Sequence, residues 1–326
     1  MTNSSRIQNV AIVGAGGNLG TYITSALLTA GHFKVTALTR ADSKTSLPNG
    51  LHVIKPIDYS DPSTIVSALQ GQDALIIILN GYVPNEIQDA LVDAAIEAGV
   101  KYILPNEWSP DSTNEGMIRD VSVFAVKTPA RARIAEKGNG KTCYISVMTG
   151  FWYEWSLAIT PAYGFDFEKK TVTFFDDGKT VTNMSTWPQC GRAVAALLSL
   201  PIEAESGAKT SLSAFKNGVV FVSSFGISQK DMFESALRVT GTKEDDWQIS
   251  YEPAEERFTN AVEKMKTGDQ KSFVTMLYTR IFYKDDCGHF EKTKGLQNGV
   301  LGLPVEDLDE ATAAAIKRSK EVKMFQ

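Results

Sequence analysis

The run "NVAIVGAGGNLG", residues 9–20, sets a buried strand, a glycine turn and the start of a helix in direct succession. "NVAIVGA" (9–15) reads as a strand ending in glycines. The segment after it places Leu19, Ile23, Ala26, Leu27 and Ala30 at helical spacing, and Gly31 stands where a helix C-terminus takes left-handed backbone. The glycines miss strict GxGxxG spacing because position 19 is leucine; they fit GxxGxxG through Gly14, Gly17 and Gly20. Such a turn brings backbone close to a pyrophosphate, and the helix start beside it offers N–H donors and a positive dipole end. A purely structural turn would also use glycines. Between a buried strand and an amphipathic helix, however, the loop of Gly14, Gly16, Gly17, Asn18, Leu19 and Gly20 reads as a dinucleotide site.

The second strand decides which dinucleotide. An NAD site wants an acid about 20 positions on, to hold the ribose 2′-hydroxyl. Here the strand ends "ALTR", and Arg40 cannot accept from that hydroxyl. Its guanidinium can fork onto a 2′-phosphate, with Lys44 assisting, so the expected cofactor is NADPH. Asp58 and Tyr59 after the third strand, and Asn80-Gly81 after the fourth, point into the same crevice; turn chemistry explains either pair as well.

Working outward, strands "KVTALTR", "LHVIKPID", "DALIIIL", "KYILP" and "TCYISVM" alternate with helical stretches. One helix has Asp61 as N-cap and Pro62 in its first turn; another ends at Gly99. This alternation predicts an α/β fold, a Rossmann-type doubly wound parallel sheet over residues 1–155. The pattern breaks after that. A smaller, discontinuous C-terminal substrate domain is expected over 156–326, with 183–200 and 218–224 available to rejoin the first domain. "TPAYGFDFEKKTVTFFDDGKT" reads as an irregular hairpin turning at Asp177-Gly178.

Composition excludes other classes. The chain has 326 residues and a net charge of −5, which argues against a nucleic-acid surface. Its longest apolar run, "ALIIIL", is too short for a membrane span, and the start lacks the apolar core of a secretory signal. Cys143, Cys190 and Cys287 stand apart, as do His32, His52 and His289, without metal-ligand spacing. Reduced thiols in a cytoplasmic protein without a metal are expected. A homodimer is left open.

"ILPNEWSPD" and "VFAVKTPARARIAEKG", taken with the glycine loop and "ALTR", resemble the NmrA-like, isoflavone-reductase-like branch of the atypical short-chain dehydrogenases. The likeness covers most of the first 155 residues and is thin beyond them, where "TRIFYKDDCGHFEKT" (279–293) has a similar cast. Plant members carry P-S-E-F-G after the fifth strand, then F-x-x-K and a basic helix. This chain has Pro105-Asn106-Glu107-Trp108-Ser109, then Phe124-Ala125-Val126-Lys127 with Arg131 and Arg133. That branch dispenses with the usual catalytic tyrosine, whose place is Val123 here. The resemblance implies that Lys127 binds the nicotinamide ribose and acts as general acid or base, directly or through water. It also implies that Asn106, in the place of a serine, orients ribose or substrate. In the family a phenylalanine after the sixth strand packs on the nicotinamide, which selects Gly150 and Phe151. Pro129 requires the Lys127 helix to begin near Thr128 or to bend.

The cluster "TGFWYEW" stands at the carboxyl end of a strand, where this fold opens a cleft. Trp152, Tyr153 and Trp108 are expected to line an apolar pocket for an aromatic or polycyclic substrate, with Glu107 and His289 as polar contacts. The function expected is an NADPH-dependent reductase of secondary metabolism, acting on a C=C, a C=N or a benzylic ether. The alternatives are a non-catalytic NADP(H)-sensing regulator and an isomerase or cyclase of the same fold.

Overall fold

Strand β1 (Asn9–Val13) is apolar and buried from Val10 to Val13 because helices cover both faces of its sheet. The structure is a computed structural model, and it describes residues 5–81, 83–204, 207 and 210–321. Beyond β1 come β2 (Lys34–Arg40), β3 (Val53–Ile57), β4 (Ala74–Ile77), β5 (Tyr102–Leu104) and β6 (Cys143–Met148). A seventh strand, Gly218–Phe221, completes the sheet in the order Gly218–Phe221, β6, β5, β4, β1, β2, β3. Every neighbouring pair runs parallel. The chain winds outward from β1 to β3, then crosses back to β4 on the other side. The reversal between β1 and β4 is the switch point where such a sheet opens a crevice at its carboxyl ends.

Helix α1 (Asn18–Thr29) and the Trp187–Leu198 helix cover one face, with Leu19, Ile23 and Leu27 packed among Val194 and Leu198. Their approach is close. A Cβ on Gly191 would lie 2.5 Å from the carbonyl oxygen of Tyr22, so only glycine fits at that crossing. Helices α2 (Pro62–Leu69), α3 (Asn85–Glu97) and Lys127–Gly138 cover the opposite face through Ile65, Leu91 and Ile134. Asp61 caps α2 by accepting from the Ser63 N–H, as its sequence position predicts.

The second lobe has its own aromatic core, which includes Tyr163, Phe165, Phe174, Phe233 and Phe282. One small sheet pairs Phe165–Asp166 antiparallel with Thr171–Phe175, and the latter parallel with Gln248–Glu252. Another sets Thr182–Ser185 between Phe151–Trp152 and Phe225–Ile227. The expected hairpin thus turns earlier than Asp177-Gly178. The turn lies at 167–170, where Asp166 Oδ1 accepts the Glu168 and Lys169 N–H groups and Lys170 takes left-handed backbone. Gly178, at φ +71°, instead sends the chain toward Thr182–Ser185 in the other sheet.

The helix carrying Lys127 starts at that residue, after a separate short turn at Ser122–Ala125. Pro129 therefore lies in its first turn, where a missing N–H costs no intrahelical bond. Among the described residues no helix is long and apolar enough to cross a membrane.

Candidate cofactor and active site

The glycines after β1 are there for different reasons. Gly14 has φ +84°, and a Cβ on it would fall 2.1 Å from the Ile78 carbonyl oxygen at the end of β4. A Cβ on Gly20 would fall 1.9 Å from the Gly14 carbonyl oxygen. These two are demanded by the fold's own packing. Gly16 lies under the segment that follows β2, with the Ser46 carbonyl oxygen 2.4 Å from where its Cβ would be. Gly17 is exposed at the N-cap of α1. No side chain caps that helix, and its first turn holds no acid. The helix therefore begins with an uncompensated positive end, the arrangement that receives an anion. Leu19 is buried, so its backbone rather than its side chain is what a ligand could meet; Asn18 is exposed.

Arg40 ends β2 with 63% of its side chain exposed and Nε 3.6 Å from Asp42 Oδ1. Tyr59 lies close enough to feel its charge, although burial dominates and raises the phenol's pKa. Asp58 is occupied by its own turn. Its Oδ1 accepts from the Ser60 N–H at 2.8 Å and the Ser60 hydroxyl at 2.7 Å, which holds the carboxyl below its ordinary range. Of the two readings its position allowed, turn chemistry accounts for its carboxylate. Asn80 and Gly81 are exposed beyond β4.

The turn after β5 is tied from several sides. The Asn106 amide donates to the Leu79 carbonyl oxygen and accepts from the Leu79 N–H, both at 3.1 Å, clasping the ends of β4 and β5. Its own N–H donates to Gln88 Oε1 of α3 at 2.8 Å. Trp108, at φ +36°, folds back so that Nε1 donates to the Ile77 carbonyl oxygen at 2.8 Å. Such backbone costs about 1–3 kcal/mol in a non-glycine residue and persists only where surroundings fix it. Lys127 reaches this turn from its helix, and Nζ donates to the carbonyl oxygens of Asn106 at 2.7 Å and Glu107 at 2.6 Å. Burial holds its ammonium below the usual lysine range; the Glu107 carboxylate opposes that shift and the Arg131 guanidinium adds to it.

Phe151 follows close by, because the N–H groups of Thr149 and Gly150 both donate to the Ser109 carbonyl oxygen in that turn. A Cβ on Gly150 would fall 2.1 Å from the Asn183 carbonyl oxygen, which explains the glycine. Phe151 is half-buried and stacks on Tyr278 with ring centres 4.1 Å apart. Tyr278 was invisible as a neighbour in the sequence, since it arrives from a helix far along the chain.

The expected substrate contacts divide. Trp108 is buried in the main core, and Glu107 is only 3% exposed, with its carboxylate ion-paired to Arg131. Tyr153 is fully buried and hydrogen-bonded to Thr312 at 2.7 Å, so burial raises its pKa far above the ordinary range. Each of these three turns its polar group back into the protein. Trp152 is half-buried against the main core, with Nε1 enclosed and unpartnered. His289 starts the Phe290–Lys294 helix, and its N–H donates to the Asp286 carbonyl oxygen.

With this geometry in place, the chain can be set beside known proteins. The profile of the NmrA-like family matches residues 6–174. The chain is 29% identical over 310 residues to Oxidoreductase aprR of Aspergillus flavus, covering 94% of this chain and 98% of that protein. An isoflavone reductase crystal structure shares the fold with a TM-score of 0.74 at 19% identity, over 94% of this chain and 98% of that one. A second structure, AtPrR2 with NADP+ and (+)pinoresinol, superposes with a TM-score of 0.64 at 19% identity, over 98% and 99% of the two chains.

Proposed function

The chain belongs to the NmrA-like family, and from that premise we propose that it is an NADPH-dependent reductase of an aromatic or polycyclic small molecule in secondary metabolism. The observation that carries the reading is the partly buried ammonium of Lys127, held at the carboxyl end of β5 by two backbone carbonyls. Two strand positions away, about 10 Å across the sheet, α1 opens without a cap or an acid. A reductase needs both features, one for phosphates and one for a proton. The oxidoreductase name of the Aspergillus flavus relative and the NADP+ and pinoresinol held by AtPrR2 agree with it.

NADPH, when bound, supplies a hydride to a substrate carbon. The chain's residues do the rest. The α1 N-terminus takes the pyrophosphate, and the glycines beside it keep side chains out of its way. Arg40 forks onto the 2′-phosphate. Phe151, backed by Tyr278, presents a flat apolar face to an aromatic ring and keeps water off it. The Lys127 ammonium gives its proton to the substrate atom that gains negative charge. Its lowered pKa makes that transfer easier than from an exposed lysine.

The test is a panel of aromatic enones, imines, quinones and benzylic ethers, followed by NADPH oxidation. Turnover of at least one compound with NADPH, and much less with NADH, is expected. If none turns over, and a partner protein instead binds according to the cofactor's redox state, the chain is a sensor and the reading fails.

A further inference from the structure

Glu107 was expected to touch substrate, yet it lies beneath the site with every oxygen engaged. Its Oε1 accepts from Arg131 Nη1 at 2.7 Å and from the Ser146 hydroxyl of β6 at 3.3 Å; Oε2 accepts from the Ser112 hydroxyl at 2.7 Å. Arg131 is equally committed. Nη1 also donates to Ser112 Oγ, and Nη2 donates to the Ser112 carbonyl oxygen and to Thr128 Oγ1. Both residues are over nine-tenths buried. Lys127 and Arg131 are four residues apart on one helix and so share a face. Glu107 joins the two cations, giving its backbone carbonyl to Lys127 and its carboxylate to Arg131.

We propose that Glu107 and Arg131 are positioning residues for Lys127, an ion pair that locks the carbonyls holding the ammonium and sets its affinity for its proton. This pair faces Lys127 with two opposite charges, Glu107 from the turn and Arg131 from its own helix, and each must move the lysine in its own direction. Without the carboxylate, Lys127 keeps only a like-charged neighbour and releases its proton more readily. Without Arg131, Lys127 becomes the remaining cation for a buried carboxylate and holds its proton more tightly.

The inference rests on Lys127 as proton donor, but it can be tested on the proton itself. The Lys127 ε-carbon signal in lysine-labelled full-length protein, assigned by its loss in Lys127→Arg, is followed against pH by NMR. Glu107→Gln should lower the pKa and Arg131→Gln should raise it, each by about half a unit or more. The double variant should return toward wild type. Should one variant fail to fold, the other still decides by the sign of its shift. Shifts of the same sign, or none, would overturn the proposal. Opposite shifts in a protein whose turnover survives Lys127→Ala would instead remove the catalytic reading and leave the pairing intact.

Discussion

At the scale of single residues, the place of Arg40 was legible and the directions taken by Trp108 and Tyr153 were not. Arg40 follows from its place at the end of the second strand, and its exposure leaves the guanidinium accessible to a ligand. One charge-assisted contact contributes about 1.5–3 kcal/mol, roughly ten- to a hundred-fold in affinity. Arg40→Ala should therefore weaken NADPH binding by that factor and leave NADH nearly unchanged, which a fluorescence titration of both cofactors would show. Equal weakening of both would mean that Arg40 does not meet the 2′-phosphate. By contrast, only the backbone decides where Trp108 and Tyr153 point. Positive φ at Trp108 sends its ring toward Ile77, and Tyr153 begins a short helix that turns it toward Thr312. Spacing carries no record of either rotation.

At the scale of elements, the turn after β5 is where the site is assembled. Asn106 stands where the plant pattern has serine, and its longer amide side chain uses separate atoms to donate to and accept from Leu79. Its side chain is thus a clasp between strands, a role that the resemblance did not suggest. Asn106→Ala would leave a strand-end N–H and carbonyl unsatisfied, at a cost of about 1–3 kcal/mol for such a group. Urea denaturation should show that loss, with the slope unchanged. A variant as stable as wild type would mean that water or a shifted turn replaces the clasp. Of the two arrangements Pro129 allowed, a start near Thr128 or a bend, the helix takes the first and begins at Lys127. The second-lobe hairpin was misplaced by one turn. Asp-Gly is the stronger local signal, but Asp166 stabilises the earlier turn through its side chain.

At the scale of the whole molecule, the parallel sheet was readable because alternating strands and helices admit few arrangements, whereas the second lobe is built from contacts between distant segments. One such contact makes stability depend on pH. Glu154 is 7% exposed, accepts from the Trp187 N–H, and is raised by burial from the ordinary 4.5 to about 7. A carboxyl with a raised folded-state pKa binds its proton more tightly when folded, so stability falls as pH rises from about 4.5 to about 7. The loss is on the order of 3 kcal/mol. Glu154→Gln keeps the acceptor and removes the charge. Its melting temperature should exceed that of wild type at pH 8 by more than at pH 5; a difference independent of pH would contradict the assignment.

The central claim is that a sheet built to hold a dinucleotide also carries a proton donor over its reactive end, and Lys127→Ala tests it most directly. The lysine lies two strands from the α1 N-terminus and apart from Arg40, so removing it should weaken NADPH binding by only about 1 kcal/mol, the net worth of one hydrogen bond. Turnover should fall by about 10²–10⁴-fold, the usual contribution of a placed acid. The measurement is NADPH affinity and turnover number side by side, for wild type and variant, on the best substrate of the panel. Near-normal binding with turnover lost is the predicted result. Turnover that survives the substitution would contradict the account and take Lys127 out of the chemistry.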